Sequence, residues 1–410
     1  MNQTTDIVIA GAGPAGSTAS LFLSKQKIPH FILDKSIFPR DKICGDAISG
    51  KASDVLYKLD SSIHDEFEQL ADKFLPCNGI LFSAPNGKML EVPFSNDLSE
   101  LKYPAGYICK RLHFDEFLFR KIDRNFATVL EGAEIKSVAR DGSIELNYSQ
   151  QGEDKILKCN LLIAAEGDRS LISRTLAGYK KNLKSYSAAV RGYYKNVKGM
   201  HAQNFIELHF LNGILPGYFW IFPLPNGDAN VGVGIPSYMI SKKKINLKDE
   251  MQKIIHEHPV FKDRFRHAEL IGEIKGWGLP LGSQQRKISG DNFLLAGDAA
   301  SLIDPFTGEG IGNAMLSGMK AAEQAHRCVE ANDFSKDFLK RYDEEVYRNC
   351  GDELKLSTRL QKLSRYEWLL NLFFNKANRN KKLRERLPQA VKRIFREQIY
   401  AAQSRPDIHS

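Results

Sequence analysis

Ile7-Val8-Ile9-Ala10-Gly11-Ala12-Gly13-Pro14-Ala15-Gly16, almost at the N-terminus, is the stretch that decides the fold. A β-branched apolar run leads into G-x-G-x-x-G, and Ser17 to Leu23 continue in a helix-compatible pattern. Gly11 permits a tight strand-to-helix turn, Gly13 lets backbone approach a pyrophosphate, and Gly16 lets helix and strand pack closely. The helix N-terminus then offers free N–H groups and a partial positive charge to a diphosphate. The next apolar run, His30-Phe31-Ile32-Leu33, ends in Asp34, at a spacing that suits a carboxylate accepting from a ribose hydroxyl. The motif by itself leaves NAD and FAD both open.

The 410 residues suffice for two domains or more. A hydrophobic content of 42% and a charged content of 26% are ordinary for a globular protein. The first strand begins by Asp6 with no basic region or cleavage site before it, so no signal peptide is expected. No apolar run nears the ~20 residues that span a bilayer. The cysteines (Cys44, Cys77, Cys109, Cys159, Cys328, Cys350) include no C-x-x-C pair. That pattern points to a reducing, cytoplasmic setting and away from a disulfide frame or a metal site. The net charge of +9 is uneven: Lys376 to Glu397 carries nine Lys or Arg against two Glu, a balance of +7 that leaves +2 elsewhere. Such a tail serves an anionic membrane surface or a nucleic acid, or is a solvated helix face.

Along the chain, Lys35 to Gly50 has poor periodicity and reads as a loop returning over a ligand. Ala52 to Leu70 is helical in pattern, and Ile80 to Pro93 alternates around Pro85-Asn86-Gly87 as a hairpin does. Val129 to Leu161 reads as strands, and Leu161-Leu162-Ile163-Ala164-Ala165-Glu166-Gly167-Asp168-Arg169-Ser170 as a buried strand ending in an acidic turn. Ser185 to about Leu281 is strand-like with a helical interruption near Asn246 to Arg266; Phe293 to Ala300 is another buried strand, and helices dominate from Gly310. The order suggests two interleaved domains rather than beads on a string.

Four segments together resemble the FAD-dependent family that includes aromatic hydroxylases and, more closely, the geranylgeranyl reductases. They are Gly11 to Gly16 with Asp34, Arg111 at the head of its helix, Ala165 to Ser170, and Ala296-Gly297-Asp298-Ala299-Ala300. The resemblance implies an arginine against the FAD phosphates at Arg111, and an aspartate on the ribityl hydroxyls at Asp298. Glu166 stands where that family usually has aspartate. A flavin also needs a positive end near its pyrimidine ring. Gly308-Glu309-Gly310-Ile311-Gly312-Asn313 opens a helix after Pro305, and a helix N-terminus favours an anion by about 0.3–1 kcal/mol, or up to ~2 when partly buried. No second G-x-G-x-x-G occurs, so no dedicated nicotinamide domain is expected.

Two further segments resemble the geranylgeranyl reductases. Tyr218-Phe219-Trp220-Ile221-Phe222-Pro223, followed by Gly232-Val233-Gly234, is similar to their Y-x-W-x-F-P…G-x-G signature. Alternation puts Tyr218, Trp220 and Phe222 on one strand face, either as a wall for a long apolar substrate or as ordinary sheet core. Lys42-Ile43-Cys44-Gly45-Asp46 is similar to the K-x-C-G-x segment that passes near the flavin. Cys44 there either relays a proton or packs, and Lys42 and Arg40 would lower its thiol pKa if close in space. Arg40, Lys42 and Lys35 otherwise suit anionic groups. His113 and His209 lack a carboxylate or Cys partner at metal-ligand spacing and read as structural.

The expected fold is α/β (α+β overall): a Rossmann-type FAD-binding domain interleaved with an antiparallel-sheet substrate domain, plus C-terminal helices. The expected boundaries are 1–75, 103–184 and 285–330 for the FAD-binding domain, 76–102 and 185–284 for the substrate domain, and 331–410 for a helical region with a basic tail. The candidate cofactor contacts are Gly11, Gly13, Ala15, Gly16, Asp34, Lys35, Cys44, Gly45, Arg111, Ile135, Asp298, Gly310 and Ile311. The expected activity is reduction of carbon–carbon double bonds of an isoprenoid-like substrate by hydride from reduced FAD, with NADPH, another reductant or an electron-donor protein as the source. The alternative on this fold is a monooxygenase using NAD(P)H and O₂; a non-catalytic prenyl carrier is a third reading. No nucleic-acid partner is expected. Trp368 to Phe374, apolar and directly before the basic stretch, suits peripheral contact with an anionic membrane.

Overall fold

A strand does form on the N-terminal apolar run, with its last four residues fully buried, and it opens the chain of elements in the computed structural model. Residues 3–95 and 103–380 are described. Most of the basic stretch from Lys376 to Glu397 lies outside them, beyond Asn380. β1 (Gln3–Ala10), α1 (Pro14–Lys25) and β2 (His30–Asp34) are followed by β3 (Ala47–Ile48), α2 (Gly50–Leu59), α3 (Ile63–Gln69) and β4 (Leu75–Cys77). The hairpin β5 (Gly79–Ser83) and β6 (Met89–Pro93), then β7 (Gly106–Ile108), lead to α4 (Arg111–Arg120). Next come β8 (Ala127–Glu131), β9 (Ala133–Asp141), β10 (Ser143–Gln150), β11 (Glu153–Ala164) and α5 (Leu171–Thr175). The strand-rich stretch supplies β12 (Tyr186–Lys195), β13 (Ile206–His209), β14 (Tyr218–Pro223), β15 (Ala229–Pro236), α6 (Ser237–Lys243), α7 (Leu247–Glu257) and β16 (Glu269–Pro280). β17 (Ser289–Gly290), β18 (Phe293–Leu295), α8 (Ile311–Ala331), α9 (Lys336–Ser364) and α10 (Glu367–Arg379) complete the described chain.

The chain divides into two compact units. One comprises Met1–Lys42, Arg111–Asn182 and Pro280–Lys355; the other comprises Ile43–Lys110, Leu183–Leu279 and the residues from Leu356 onward. The sequence reading instead gave 43–75 to the FAD-binding domain and set 331–410 apart. The physical reason for the difference is pairing. β3, β7 and β4 make a small sheet of their own, and β5–β6 extend the sheet of the strand-rich unit. The single helix expected over 52–70 is two, α2 and α3. Asp60 turns extended, and its Oδ1 accepts from Ser62 N–H and Oγ–H, a local competitor to the helical ladder.

In the first unit the sheet runs β17-β18-β11-β1-β2-β8, with β10 and β9 branching off β11. β18, β11, β1, β2 and β8 are mutually parallel. Their buried runs (Ile7, Val8, Ile9; Leu161, Leu162, Ile163; Leu294, Leu295) show the continuous apolar character of strands covered on both faces. In the second unit the order is β16-β12-β15-β14-β13-β5-β6, with α7 packed on one face through Met251, Ile254 and Ile255 against Phe219, Ile221, Val231 and Val233.

What brings distant segments together in the first unit is a crossing of α1 and α8 made of very small side chains. Ala15, Ala165, Ala296 and Ala314 form one buried cluster. A Cβ on Gly318 would lie 2.2 Å from Ala15 O, and one on Gly297 would lie 3.3 Å from Ala15 Cβ and 3.1 Å from Ala314 Cβ. Gly318→Ala therefore forces the two helices apart. We expect a net loss of about 1–3 kcal/mol, the overpacking cost being only partly offset by better helix propensity. A lower melting temperature together with weaker FAD retention checks this; an unchanged melt refutes it.

Candidate active site

The glycine turn is built as the spacing requires. Gly11 has φ of +96°, and a Cβ there would sit 2.5 Å from Ala165 O; on Gly16 it would sit 1.8 Å from Gly11 O. Gly13 caps α1 with no side-chain hydrogen bond, and no acid occupies the first turn. The α1 N-terminus thus presents unneutralised N–H groups. Asp34 closes the turn from the other side: Oδ2 accepts from Ala12 N–H at 2.8 Å and Oδ1 from Ser36 N–H at 2.8 Å. Lys35 is exposed, and Ile135 is half-buried in β9 opposite Tyr148 of β10.

Two guanidinium groups converge on one carboxylate nearby. Arg111 donates from Nε and Nη2 to Asp115 at 2.6 and 2.7 Å, and Arg40 Nη1 donates to the same carboxylate at 2.6 Å. The Asp115 side chain has no solvent exposure. Burial pushes its carboxyl up, but Arg111 and Arg40 outweigh burial and hold it below the usual carboxylate range. Two cations against one anion leave a net positive charge. Arg40 Nη2 lies 3.4 Å from where a Cβ on Gly13 would stand, which sets that charge beside the glycine turn. Arg111 was expected here. Asp115 was not, although its i+4 spacing from Arg111 was the available signal.

Asp298 follows β18 in the turn held between α1 and α8, where Gly297 N–H donates to Ser317 Oγ at 2.9 Å. Arg286 braces the turn from behind, donating to Ala299 O and, at 3.2 Å, to Ala300 O. Burial raises the Asp298 carboxyl above the ordinary range, with Lys42 and Arg111 pulling it partly back. α8 begins at Ile311, capped by Gly310, whose Cβ position is 3.8 Å from Asp298 Oδ1. The helix end is not bare, however. Gly312 N–H donates to Glu309 Oε1 at 2.5 Å, so a carboxylate offsets much of the positive end expected there. Glu166 likewise acts as a cap, accepting from Ser170 Oγ–H and from the N–H groups of Leu171 and Ile172 at the start of α5.

These donors and acceptors fit FAD. An uncapped helix end, a glycine cradle and a net-positive arginine pair suit a diphosphate, and the Asp298 carboxylate, with no hydrogen bond from a described residue, suits a polyhydroxyl chain.

In the second unit, Tyr218, Trp220 and Phe222 do share one face of β14, and the row is longer than expected. Phe82, Phe210, Tyr218, Trp220 and Phe222 follow one another with ring centroids 6.2–6.4 Å apart. The G-x-G of β15 explains itself here: a Cβ on Gly232 would lie 2.2 Å from Trp220 Cζ2, and one on Gly234 3.7 Å from Cζ3. The glycines are the shelf on which the indole lies. Gly45 plays the same part for Phe222, whose Cε2 is 2.9 Å from the Cβ position. Cys44 is half-buried while the other five cysteines are buried. Asp46 and Asn230, which the sequence reading passed over, bond to each other beside this row.

His209 is structural, but it does have an acidic partner. Its Nε2 meets Glu207 Oε2 at 2.9 Å and its Nδ1 meets Ser83 Oγ at 2.7 Å, while Arg264 closes on Glu207 with two bonds. Burial lowers the imidazole pKa, Glu207 only partly restoring it, and the group is fully enclosed. A Ser–His–Glu set with no opening has no hydrolytic use.

Residues 4–349 match the family described as FAD binding domain. The chain belongs to that family. Within the FAD binding domain family it is 32% identical over 373 residues to a digeranylgeranylglycerophospholipid reductase of Methanocaldococcus jannaschii, covering 89% of this chain and 88% of the relative. It is 30% identical over 327 residues to a menaquinone reductase of Mycobacterium tuberculosis, covering 79% and 77%. The crystal structure of a geranylgeranyl bacteriochlorophyll reductase-like protein from Thermoplasma acidophilum shares the fold, with a TM-score of 0.79 at 23% identity over 98% of this chain and 99% of that one. The protein is an FAD-dependent oxidoreductase of the geranylgeranyl reductase family.

The arginine clamp gives a signed prediction. Asp115→Asn removes the buried anion shared by the buried Arg111 and the half-buried Arg40, a change that costs about 3–5 kcal/mol in comparable sites. Since the folded pKa of Asp115 is depressed, the wild-type contribution is complete above about pH 4 and is lost as pH falls through the folded value. A bound diphosphate returns negative charge to the pair, so FAD should raise the melting temperature more in the variant than in the wild type. Equal FAD-induced shifts would refute the clamp.

Proposed function

We propose that this protein reduces carbon–carbon double bonds of a polyprenyl-type substrate. The observation that carries the reading is the continuous aromatic row from Phe82 to Phe222, with Trp220 packed against Gly232 and Gly234. Four of its rings are buried and Tyr218 is half-buried, so a long apolar chain seated against the row is held by area rather than by polar anchors. Each methylene then changes affinity by only ~1 kcal/mol, so homologous chains are accepted. The relatives named for geranylgeranyl-lipid and menaquinone reduction support the same substrate class.

When bound and reduced, FAD would supply the hydride that one alkene carbon needs. The chain's own tasks are to exclude water, to hold the alkene against the aromatic row, and to deliver a proton to the other carbon. We assign that delivery to Cys44, which is reprotonated from solvent through its half-open position. Arg40 and Arg111 would hold the diphosphate, Asp298 the ribityl hydroxyls, and Gly11, Gly13, Ala15 and Gly16 would form the backbone cradle. NADPH or another reductant, directly or through a donor protein, restores the reduced state. The expected result is stoichiometric reoxidation of anaerobically reduced protein by a geranylgeranyl substrate, with saturated product. Substrate-dependent oxygen consumption with NAD(P)H, and no anaerobic reoxidation, would favour the monooxygenase instead.

A prenyl lipid must be collected from a bilayer, and α10 supports a peripheral contact. Trp368, Leu372 and Phe373 are exposed along it, with Lys376 and Arg379 on its last turns. Among the described residues no helix is long and apolar enough to cross a membrane. Co-sedimentation with phosphatidylglycerol vesicles should fall by about tenfold in Trp368→Glu/Phe373→Glu, two buried-aromatic contacts being worth at least that much. Binding equal to wild type would remove the membrane role.

A further inference from the structure

Beside the aromatic row, with Asn230 opposite Phe222, lies a hydrogen-bond hub that neither the motif resemblance nor the proposed chemistry uses. Asn230 is fully buried in β15. Its Oδ1 accepts from Trp220 Nε1–H at 3.0 Å. Its Nδ2 donates to Cys44 O at 2.8 Å and to Asp46 Oδ2 at 2.8 Å. Asp46 is itself fully buried, and the same oxygen accepts from Tyr193 Oη–H at 2.8 Å. Asp46 sits at φ +69°, a left-handed conformation that a non-glycine residue adopts at a cost. Its carbonyl accepts from Cys109 N–H at 2.9 Å, so backbone and side chain together hold the turn.

The connectivity is specific. One side-chain amide ties the indole of the substrate wall to the residue that carries the half-open thiol, and an adjacent carboxylate locks the amide's orientation. An apolar residue at 230 would leave the Trp220 N–H, the Cys44 carbonyl and one Asp46 contact unmet in a buried place, and each unmet group is costly.

We propose that Asn230 is a positioning residue, locked by Asp46, that sets the Cys44 segment and the Trp220 indole in one geometry for the reaction. The catalytic part of the proposal rests on the reductase reading; the positioning of Cys44 does not. Cys44 is the one cysteine that is not buried, so thiol labelling of the FAD-loaded protein with a disulfide reagent reports on it.

Asn230→Ala should raise the labelling rate about tenfold, the worth of one ordinary buried hydrogen bond. Tyr193→Phe, which removes a single hydroxyl, should raise it by a smaller factor. Val231→Ala, its neighbour in the helix-facing core, should leave it unchanged. In turnover, Asn230→Ala should lower kcat with KM little altered, and that loss should vanish in a Cys44→Ala background. Rates within twofold of wild type in both Asn230→Ala and Tyr193→Phe overturn the proposal, and so does an equal rise in Val231→Ala. If Asn230→Ala does not fold, Tyr193→Phe against Val231→Ala decides it. Altered labelling without any prenyl turnover in the wild type would keep the positioning role and defeat the reductase reading alone.

Discussion

The approach of α1 to α8, close enough that no side chain fits at Gly318, is the constraint on which the first unit depends. Small residues at this crossing let the first turn of α1 and the turn before α8 lie side by side. The glycine turn and the turn that carries Asp298 are thereby brought together although a long stretch of chain separates them. Bulk at any of Ala15, Gly297, Ala314 or Gly318 would open that seam.

Electrostatics in this unit are arranged by carboxylates as much as by cations. Asp115 takes two guanidinium groups, Asp34 takes two backbone N–H groups, and Glu309 takes the first turn of α8. Each fixes a loop in the shape a nucleotide cofactor needs before that cofactor arrives, and preorganisation of this kind lowers the ordering cost of binding. In the second unit the same economy appears in apolar form. Glycines at 45, 232 and 234 hold Phe222 and Trp220 in place by absence of bulk, and flat rings need only that.

The parallel sheet, the glycine turn, Asp34, Arg111 and the Asp298 turn were legible because each obeys a local rule: an apolar run, a fixed glycine spacing, a helix start. The aromatic face of β14 was legible from alternation alone. Asp46 and Asn230 were not, because their partners come from segments far along the chain and a single polar residue in a turn or strand carries no period; Asp115, four residues after Arg111, was missed because Arg40, which completes the clamp, lies 75 residues before it. The same holds for Glu207 and His209, whose spacing of two gave no sign that Ser83 and Arg264 would complete the set. The break between α2 and α3 was missed because Asp60 and Ser62 compete for backbone groups without disturbing the apolar spacing. The domain boundaries moved because short strands such as β3 and β7 leave almost no trace in composition.

Neither unit is a continuous piece of chain, and this bears on how the molecule is made. Emerging from the ribosome, β1 waits for β11 until residue 164 and α1 waits for α8 until after residue 311. The glycine turn is therefore completed only long after it is synthesised. Until then the edge of β1 that β11 will cover and the flank of α1 that α8 will cover lack their native partners. Pairings this distant in sequence form slowly and leave such surfaces open to misassociation. A nascent chain of this design carries its cofactor cradle half built until α8 has been made.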